Sequence, residues 1–321
     1  MFLLRGVAVS FSIGVIVYGC LSLAVSLAWR MARPDALRYS ARACADVLFA
    51  LRLGPAVISG AAILILAVPS FLWLEPRAVV EPIGIVPIFL CACGLAGILW
   101  AIWNATSALR RALRTVASWA STGSIISWEP ADSNRSVPIA RSVSALPPLT
   151  AAGIVNPTVW LSPTAESMLS ERELRSALRH EMVHVRRKDN LRKLILRLLA
   201  FPGMGKLESA WREATEMAAD DAAVSNRSEA LDLAAAVIKL SRLTPLDPPA
   251  ELTTALVRSS AESVNLRVQR LIYWNEMRQN QAPNYRPKYV FCTAAASVMA
   301  LAANYIHLLI FVHAATELLV R

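Results

Sequence analysis

The sequence predicts a mainly α-helical membrane protein with four spanning helices, in which one α+β domain is inserted between the third and fourth spans. Hydrophobic residues make up 55% of the 321 residues and charged residues 17%. With a mean hydropathy of +0.45, this composition is too apolar for one soluble domain of this length. Four stretches of the chain have the run of about 20 mostly apolar residues that crosses a bilayer core. The composition also excludes intrinsic disorder, a collagen-like repeat and a disulfide scaffold.

The four predicted spans divide the chain into three regions. They cover residues 6–29, 55–74, 83–103 and 289–312. Tryptophans stand at several of their ends, where an indole ring prefers the membrane interface. The first apolar run is longer than the core of a signal peptide, so we interpret it as a true span. The chain therefore comprises a three-span region at 1–103, a domain at 104–288, and the fourth span with a short tail at 289–321.

Charges beside the spans predict the orientation. The loop after the first span carries five arginines (30, 33, 38, 42 and 52) against two aspartates, whereas the next loop has one arginine and two glutamates. The positive-inside rule then places the first loop and the inserted domain in the cytoplasm. We expect a multi-pass protein of the inner (cytoplasmic) membrane with both termini extracytoplasmic. Apolar residues at helical spacing over 37–51 predict a helix that either lies on the inner leaflet or packs on the protein.

The two histidines of the inserted domain lie in one short motif. Ser170 and Glu173 form a capping box that predicts the start of a helix, and this helix runs through His180-Glu181-Met182-Val183-His184. Residues at i and i+4 on a helix point the same way, so both imidazoles can bind one Zn²⁺. Glu181 is then placed to act as general base towards a water activated by the metal. The motif predicts a hydrolytic site with one zinc ion per chain, His180 and His184 as ligands, and Glu181 as catalytic residue.

A second predicted helix, residues 206–224, offers the third zinc ligand. Glu213, Glu216 and Asp220 follow one another at spacings of three and four, which places them on one face. Glu213 and Glu216 compete for the ligand position. We favour Glu216, because Asp220 lies four residues further along and can accept the outer N–H of a ligating histidine. The alternative is that all three form a solvated acidic face.

The stretch from Ile154 to Leu161 predicts a short strand. Because Pro157 interrupts it, the pattern is typical of an edge strand. Such a strand can bind an extended substrate by β-augmentation. Its candidate substrate-binding residues are Ile154, Asn156, Thr158 and Trp160. The equally open alternative is that the strand only fills the sheet.

These segments together resemble one known family. Residues 153–161, 173–175, 180–189 and 216–224 are similar to the BlaR/MecR-type integral-membrane zinc metallopeptidases, whose chemistry is of the gluzincin type. The resemblance implies a cytoplasmic α+β gluzincin-like zinc protease domain between spans three and four. It also implies His180, His184 and Glu216 as zinc ligands, Glu181 as base, and Asp220 as the carboxylate behind a ligand.

The resemblance also implies a role. We expect a membrane-embedded zinc endopeptidase that cleaves a cytosolic or membrane-proximal protein, in signalling or antirepressor control of gene expression. A winged-helix transcriptional repressor is the implied protein substrate. The antibiotic-sensing members continue into an extracytoplasmic penicillin-binding domain. Here the sequence ends at Arg321 with no Ser-x-x-Lys motif after the fourth span, so we expect no such sensor.

Residues 171–200 carry nine basic and four acidic side chains, which predicts contact with anionic lipid of the inner leaflet. No recognition-helix motif accompanies this charge, so direct binding to nucleic acid is not expected. Two alternatives to a signalling peptidase stay open. One is a non-catalytic membrane transducer or scaffold that retains the zinc fold, and the other is a membrane quality-control protease.

Overall fold

The computed structural model describes most of the chain. The described residues are 2–31, 40–76, 84–121, 123–126, 138–141, 148–199, 201–243, 252, 254–255, 261–274, 276 and 299–320. The start of the predicted fourth span, residues 289–298, lies outside them, as do residues 32–39 of the first predicted loop.

Three long apolar helical segments form a bundle. The first is α1, Phe2–Met31. The second runs from α2, Ala41–Ala62, through a π-helical turn, Ile63–Ala67, into α3, Val68–Leu74. The third is α4, Ile85–Ala120. Each segment is long and apolar enough to cross a membrane, and the first three predicted spans fall almost entirely within them.

The last described helix, α11, covers Tyr305–Val320. It is apolar but shorter than the other three segments, and it continues beyond Val312, where the predicted fourth span ends. The fourth span therefore remains a prediction.

Buried serines join the helices of the bundle. Ser59 Oγ on α2 donates to the carbonyl of Gly14 on α1 at 2.6 Å. Ser12 Oγ on α1 donates to the carbonyl of Pro87 on α4 at 3.0 Å. Hydrogen bonds of this kind link helices where no water is present to replace them. They place α1 in contact with both of the other long segments.

Pro69 in α3 affects the hydrogen bonding of the backbone one turn earlier. Pro69 has no N–H to offer to the carbonyl of Ile65, because its ring nitrogen is fully substituted. The hydroxyl of Tyr305 on α11 donates to that carbonyl at 2.9 Å. A backbone group that the proline leaves open is thus satisfied by a neighbouring helix, as the bilayer core requires.

The amphipathic segment predicted over 37–51 begins α2 and packs on the protein. Ala45 and Leu48 are buried in a cluster with Leu207 and Trp211 of a later helix, α8, Gly205–Ala223. Asp46 on the same helix pairs with Arg192 at 2.9 Å and with Arg187 at 3.4 Å. Within 41–51 the structure therefore favours packing on the protein over a position on the lipid surface.

Helix α4 continues without a break through the predicted boundary at residues 103 and 104. Its second half packs against the other elements: Ala108 and Ala112 are buried beside Leu252, and the rings of Trp119 and Trp160 lie 5.8 Å apart. The long helix thus connects the bundle directly to the sheet.

The sheet has five short strands in the order β1-β2-β4-β3-β5. They are β1, Ser124–Ile126; β2, Ile139–Arg141; β3, Leu149–Ala152; β4, Thr158–Leu161; and β5, Thr254–Ala255. Strands β2 and β4 are parallel, and the other pairs are antiparallel.

The prediction of an edge strand at 154–161 is wrong. Strand β4 pairs with β2 on one side and with β3 on the other, and it begins at Thr158, just after Pro157. A proline that precedes the first residue of a strand removes no hydrogen bond from the ladder. Both hydrogen-bonding edges of β4 are occupied, so this strand cannot take up a substrate strand.

Six helices complete the part of the domain that the structure describes. They are α5, Pro163–Met168; α6, Glu171–Arg187; α7, Asp189–Leu198; α8, Gly205–Ala223; α9, Arg227–Ser241; and α10, Ala261–Ile272. The predicted capping box at the start of α6 is confirmed, since Ser170 N donates to Glu173 Oε2 at 2.7 Å. The sheet, α6 and α9 enclose a common apolar core that includes Leu149, Val159, Leu178, Leu233 and Val237.

Candidate metal centre

The histidine pair lies at the centre of the domain. His180 and His184 project from one face of α6, as their spacing predicts, with their Nε2 atoms 3.1 Å apart. Both side chains are almost completely buried. Two imidazole nitrogens therefore point at one small volume from which water is largely excluded.

Glu216 completes a group of three possible ligands. Its Oε2 lies 3.5 Å from His180 Nε2, and its Oε1 lies 3.7 Å from His184 Nε2. Helix α8 carries it to this position by packing against α6. The competing residue, Glu213, is exposed and lines a separate cavity with Met217. The geometry therefore brings together the three residues that the sequence analysis selected, and it leaves Glu213 outside the group.

A carboxylate lies beside the Nδ1 atom of each histidine. His184 Nδ1 donates to Asp189 Oδ2 at 2.7 Å, and His180 Nδ1 lies 2.9 Å from Asp220 Oδ1. A carboxylate accepts hydrogen bonds, so the contact with Asp189 places a ring proton of His184 on Nδ1, and the Nε2 atoms of the two rings face each other. Asp220 stands where the sequence analysis expected it. Asp189 was missed, although it follows His184 by five residues.

The backbone at Lys188 explains how Asp189 reaches the histidine. Lys188 adopts a left-handed conformation with φ of 55°, which ends α6 and starts α7. This conformation is uncommon for a residue with a side chain. It reverses the chain sharply enough for the next residue, which is fully buried, to turn back towards His184.

This arrangement fits a zinc ion. Two Nε2 atoms and a carboxylate face one another at 3.1 to 3.7 Å, and a metal cation between them can bind all three. Two imidazoles and one carboxylate, with further carboxylates behind the rings, are the donor set of catalytic zinc sites. His180, His184 and Glu216 are the residues that would hold the ion.

Arg267 is a member of this site that the sequence analysis missed. It comes from α10, is 1% exposed, and donates through Nε and Nη2 to both oxygens of Asp220 at 2.8 and 2.7 Å. Its Nη1 lies 3.2 Å from Glu216 Oε2. One guanidinium therefore contacts both Glu216, the third possible ligand, and Asp220, the carboxylate beside His180. Arg267 lies 47 residues after Asp220, and no local sequence pattern joins the two.

The buried charges shift one another's pKa values strongly. Burial alone would raise the pKa of Glu216, but the two histidines and Arg267 outweigh it and lower that pKa to about 2. Burial would lower the pKa of His180, whereas Asp220 and Glu216 raise it to about 9. Arg267 holds the pKa of Asp220 well below its usual range despite the burial of that carboxyl. At neutral pH the carboxylates of Glu216 and Asp220 are therefore ionised and can interact with a cation.

Glu181 behaves differently from its neighbours. It is 0% exposed, and its Oε2 accepts a hydrogen bond from the backbone N–H of Ala151 on β3 at 2.9 Å. Burial raises its pKa above the usual value, and the nearby imidazoles offset this only in part. A carboxyl whose pKa is raised in this way has the properties of a general base.

The four candidate substrate-binding residues separate into two pairs. Ile154 and Asn156 lie in the loop before β4 and line a cavity of about 730 Å³ that reaches His184. Thr158 lies in β4, and Trp160 is buried there against Trp119. The cavity therefore involves the loop and not the strand.

The described residues thus combine a possible metal site of two histidines and a glutamate with helices long and apolar enough to cross a membrane. A family model described as BlaR1 peptidase M56 matches residues 20–271, and the chain belongs to this family of zinc metallopeptidases. The match confirms the resemblance found in the sequence. It runs from α1 to α10 and includes every residue of the metal centre. No curated protein matches the chain.

Proposed function

We propose that this protein is a zinc-dependent endopeptidase of the inner membrane, which hydrolyses peptide bonds of a cytosolic or membrane-proximal protein. The observation that carries the proposal is Glu181: a buried carboxyl with a raised pKa, on the same helix as both histidines. A zinc site that serves only the fold needs no such base. This favours an active peptidase over a non-catalytic transducer or scaffold.

The protein groups have separate tasks in this reaction. A zinc ion held by His180, His184 and Glu216 would supply Lewis-acid polarisation of water and of the carbonyl under attack. Asp189 accepts a hydrogen bond from Nδ1 of His184, so that Nε2 of this ring is available to bind the metal, and Asp220 lies beside Nδ1 of His180.

Glu181 moves the proton. The N–H of Ala151 fixes its Oε2, and Oε1 is the atom that takes a proton from the attacking water. The carboxyl then passes this proton to the nitrogen of the leaving amine. A raised pKa suits both transfers, because the group must accept and release a proton near neutral pH.

We place one side chain of the substrate in the cavity beside His184. Ile154 and Asn156 line it together with Val185 and Leu191. Asn190, Arg186 and Lys188 also line this cavity, so apolar, amide and basic groups all face its occupant. The proposed substrate contacts are therefore Ile154 and Asn156, and the proposal no longer includes Thr158 or Trp160.

The link between the site and the bundle supports a signalling role. Helix α8, which carries Glu216, packs against α2 through Trp211 and Leu48. On α1, Tyr18 and Ser26 donate to the carbonyls of Leu199 and Gly203, just before α8. Movement of the spans would therefore shift the helix of the third ligand. We propose antirepressor control of gene expression as the role, with a winged-helix transcriptional repressor as the protein substrate.

Anionic lipid of the inner leaflet is the proposed surface partner. Asp46 pairs with Arg187 and Arg192, whereas Arg186 and Lys188 are exposed. In native mass spectrometry, wild-type protein should retain phosphatidylglycerol more strongly than the Arg186→Gln, Lys188→Gln double variant. Equal retention by the two would argue against this surface.

The peptidase proposal is tested with Glu181→Gln. Wild type and variant are purified in detergent, and zinc content is measured by elemental analysis beside cleavage of casein and of the chain itself. We expect equal zinc in both proteins and cleavage by the wild type alone. Glu213→Gln, on the exposed side of α8, is the matched control and should change neither quantity. Zinc-loaded wild type that cleaves nothing, or cleavage that survives in Glu181→Gln, would refute the proposal.

A further inference from the structure

We propose that Glu75, His313 and Glu317 form a second site for a divalent transition-metal cation, separate from the peptidase centre. We call these three residues the bundle-end cluster. Glu75 directly follows α3, and α3 continues the segment whose other end packs on α8. The cluster and His180 therefore lie towards opposite ends of this long helical segment.

Two helices supply the ligands, and other contacts fix these helices beside each other. His313 and Glu317 are four residues apart on α11 and thus share one face. Ser70 Oγ on α3 donates to the carbonyl of Leu309 at 3.1 Å, and Tyr305 donates to the carbonyl of Ile65. These contacts align α3 and α11 in parallel and place Glu75 next to His313.

The distances suit a shared ion better than a hydrogen bond. One ligand atom from each residue of the cluster lies within 4.8 Å of the others. His313 Nδ1 and Glu75 Oε2 are 3.9 Å apart, which is too long for a hydrogen bond. Two ligands bound to one zinc ion at tetrahedral geometry lie roughly 3.3 to 3.6 Å apart. The histidine-to-glutamate distances in the peptidase centre, 3.5 and 3.7 Å, are similar.

A buried nitrogen in the cluster supports the assignment independently. His313 Nδ1 is shielded from solvent and has no hydrogen-bond partner among the described residues. Leaving such an atom unsatisfied is costly, and a bound cation would remove that cost. Imidazole together with carboxylates is a donor set that zinc and related transition metals accept.

The charges around the cluster also favour a cation. Arg5 Nη1 lies 3.0 Å from Glu75 Oε1, and both side chains are less than a tenth exposed. This pair uses one oxygen of Glu75 and leaves Oε2 facing His313. Two carboxylates against one guanidinium give the group a net negative charge. A divalent ion would balance that charge and hold the end of α11 against the end of α3.

The test counts metal ions in the full chain. Protein in detergent is stripped with a chelator, equilibrated with buffered Zn²⁺ and measured by elemental analysis. We expect two ions per chain for the wild type and one for a His180→Ala, His184→Ala double variant, which lacks the peptidase site. Adding His313→Ala to that double variant should leave none. His307→Ala, an exposed histidine on the same helix, is the matched control and should still bind two.

A second variant guards against loss of binding through misfolding. Glu317→Gln keeps the size of the side chain, so it should bind one ion and retain the zinc of the peptidase centre. Glu317→His restores a ligand and should bind two. One ion per wild-type chain would overturn the proposal, as would a count that His313→Ala leaves unchanged.

Discussion

Asp189 Oδ2 accepts a hydrogen bond from His184 Nδ1 at 2.7 Å, and both side chains are buried. The contact fixes which nitrogen of His184 carries the proton and therefore which nitrogen faces Glu216. Asp220 Oδ1 lies 2.9 Å from His180 Nδ1. Carboxylates from two different helices, α7 and α8, thus lie beside the two rings.

Replacing Asp189 by asparagine should weaken zinc binding. The amide keeps the size of the side chain but removes the negative charge that strengthens His184 as a metal ligand. Losses of about 10- to 100-fold in metal affinity are typical of such changes. Zinc affinity is measured by competition with a chromogenic chelator. Asp221→Asn is the matched control, because Asp221 pairs with Arg270 and not with a histidine. Equal affinities in the two variants would contradict the prediction.

Removing Arg267 should destabilise the domain strongly. Arg267→Met leaves Asp220 and Glu216 as two buried carboxylates without their shared counter-charge, and breaking such a pair costs about 3 to 5 kcal/mol. The free energy of unfolding of the chelated protein in detergent measures this cost. Arg270→Met, on the same helix, removes a more exposed ion pair and should cost less. A loss no larger than that of Arg270→Met would mean that Arg267 does not stabilise the site.

Acid should weaken the start of α6 through Glu173. Burial alone raises the pKa of Glu173, but Lys239 and the capping contacts with Ser170 outweigh it and lower that pKa below the usual value of 4.5. A carboxyl with a lowered folded-state pKa contributes stability above its unfolded-state pKa and loses it as the pH falls through the folded-state value. The wild type should therefore exceed Glu173→Gln in stability, by about 1 kcal/mol, at neutral pH.

This advantage should shrink as the pH falls below about 4.5, which thermal unfolding of both proteins across that range measures. Glu171→Gln is the control, because Glu171 is exposed and pairs only along the helix with Arg175. A difference between wild type and Glu173→Gln that stays constant with pH would exclude the ionised carboxylate as its source.

Tyr305→Phe should loosen α11 from α3. The variant leaves the carbonyl of Ile65 without the hydroxyl that replaces the missing N–H of Pro69. Hydrogen bonds between membrane helices contribute on average about 0.6 kcal/mol and at most about 1.7 kcal/mol. Unfolding of the protein in mixed micelles measures the change. Tyr273→Phe, at an exposed position of the domain, should be neutral, and an equal effect of both variants would count against this role of Tyr305.

Local patterns were sufficient for the centre of the site. The spacing of His180 and His184 determines their common direction on any helix, and the capping box at Ser170 places them on one. The choice of Glu216 over Glu213 rested on the carboxylate four residues after Glu216. The structure brings His180, His184 and Glu216 together, since helix periodicity decides which side chains share a face.

The prediction of an edge strand was wrong because it depended on contacts with distant parts of the chain, and not on local spacing. Whether a strand lies at an edge depends on which other strands pair with it, and β2 reaches β4 from a distant part of the chain. Pro157 marked the start of β4 and carried no information about its neighbours. Ile154 and Asn156 belong to the cavity through their loop, which alternation along a strand did not predict.

The sequence by itself determined the apolar segments, the histidine motif with Glu181 between its two histidines, and the family. Each of these rests on residues within one helix or one apolar run, where spacing fixes geometry. Tertiary structure alone decided that Asp189 and Arg267 complete the metal centre and that β4 is internal. It also brought Glu75 next to His313. Such contacts join residues from separate elements, and only the packing of those elements determines which buried charges must neutralise one another.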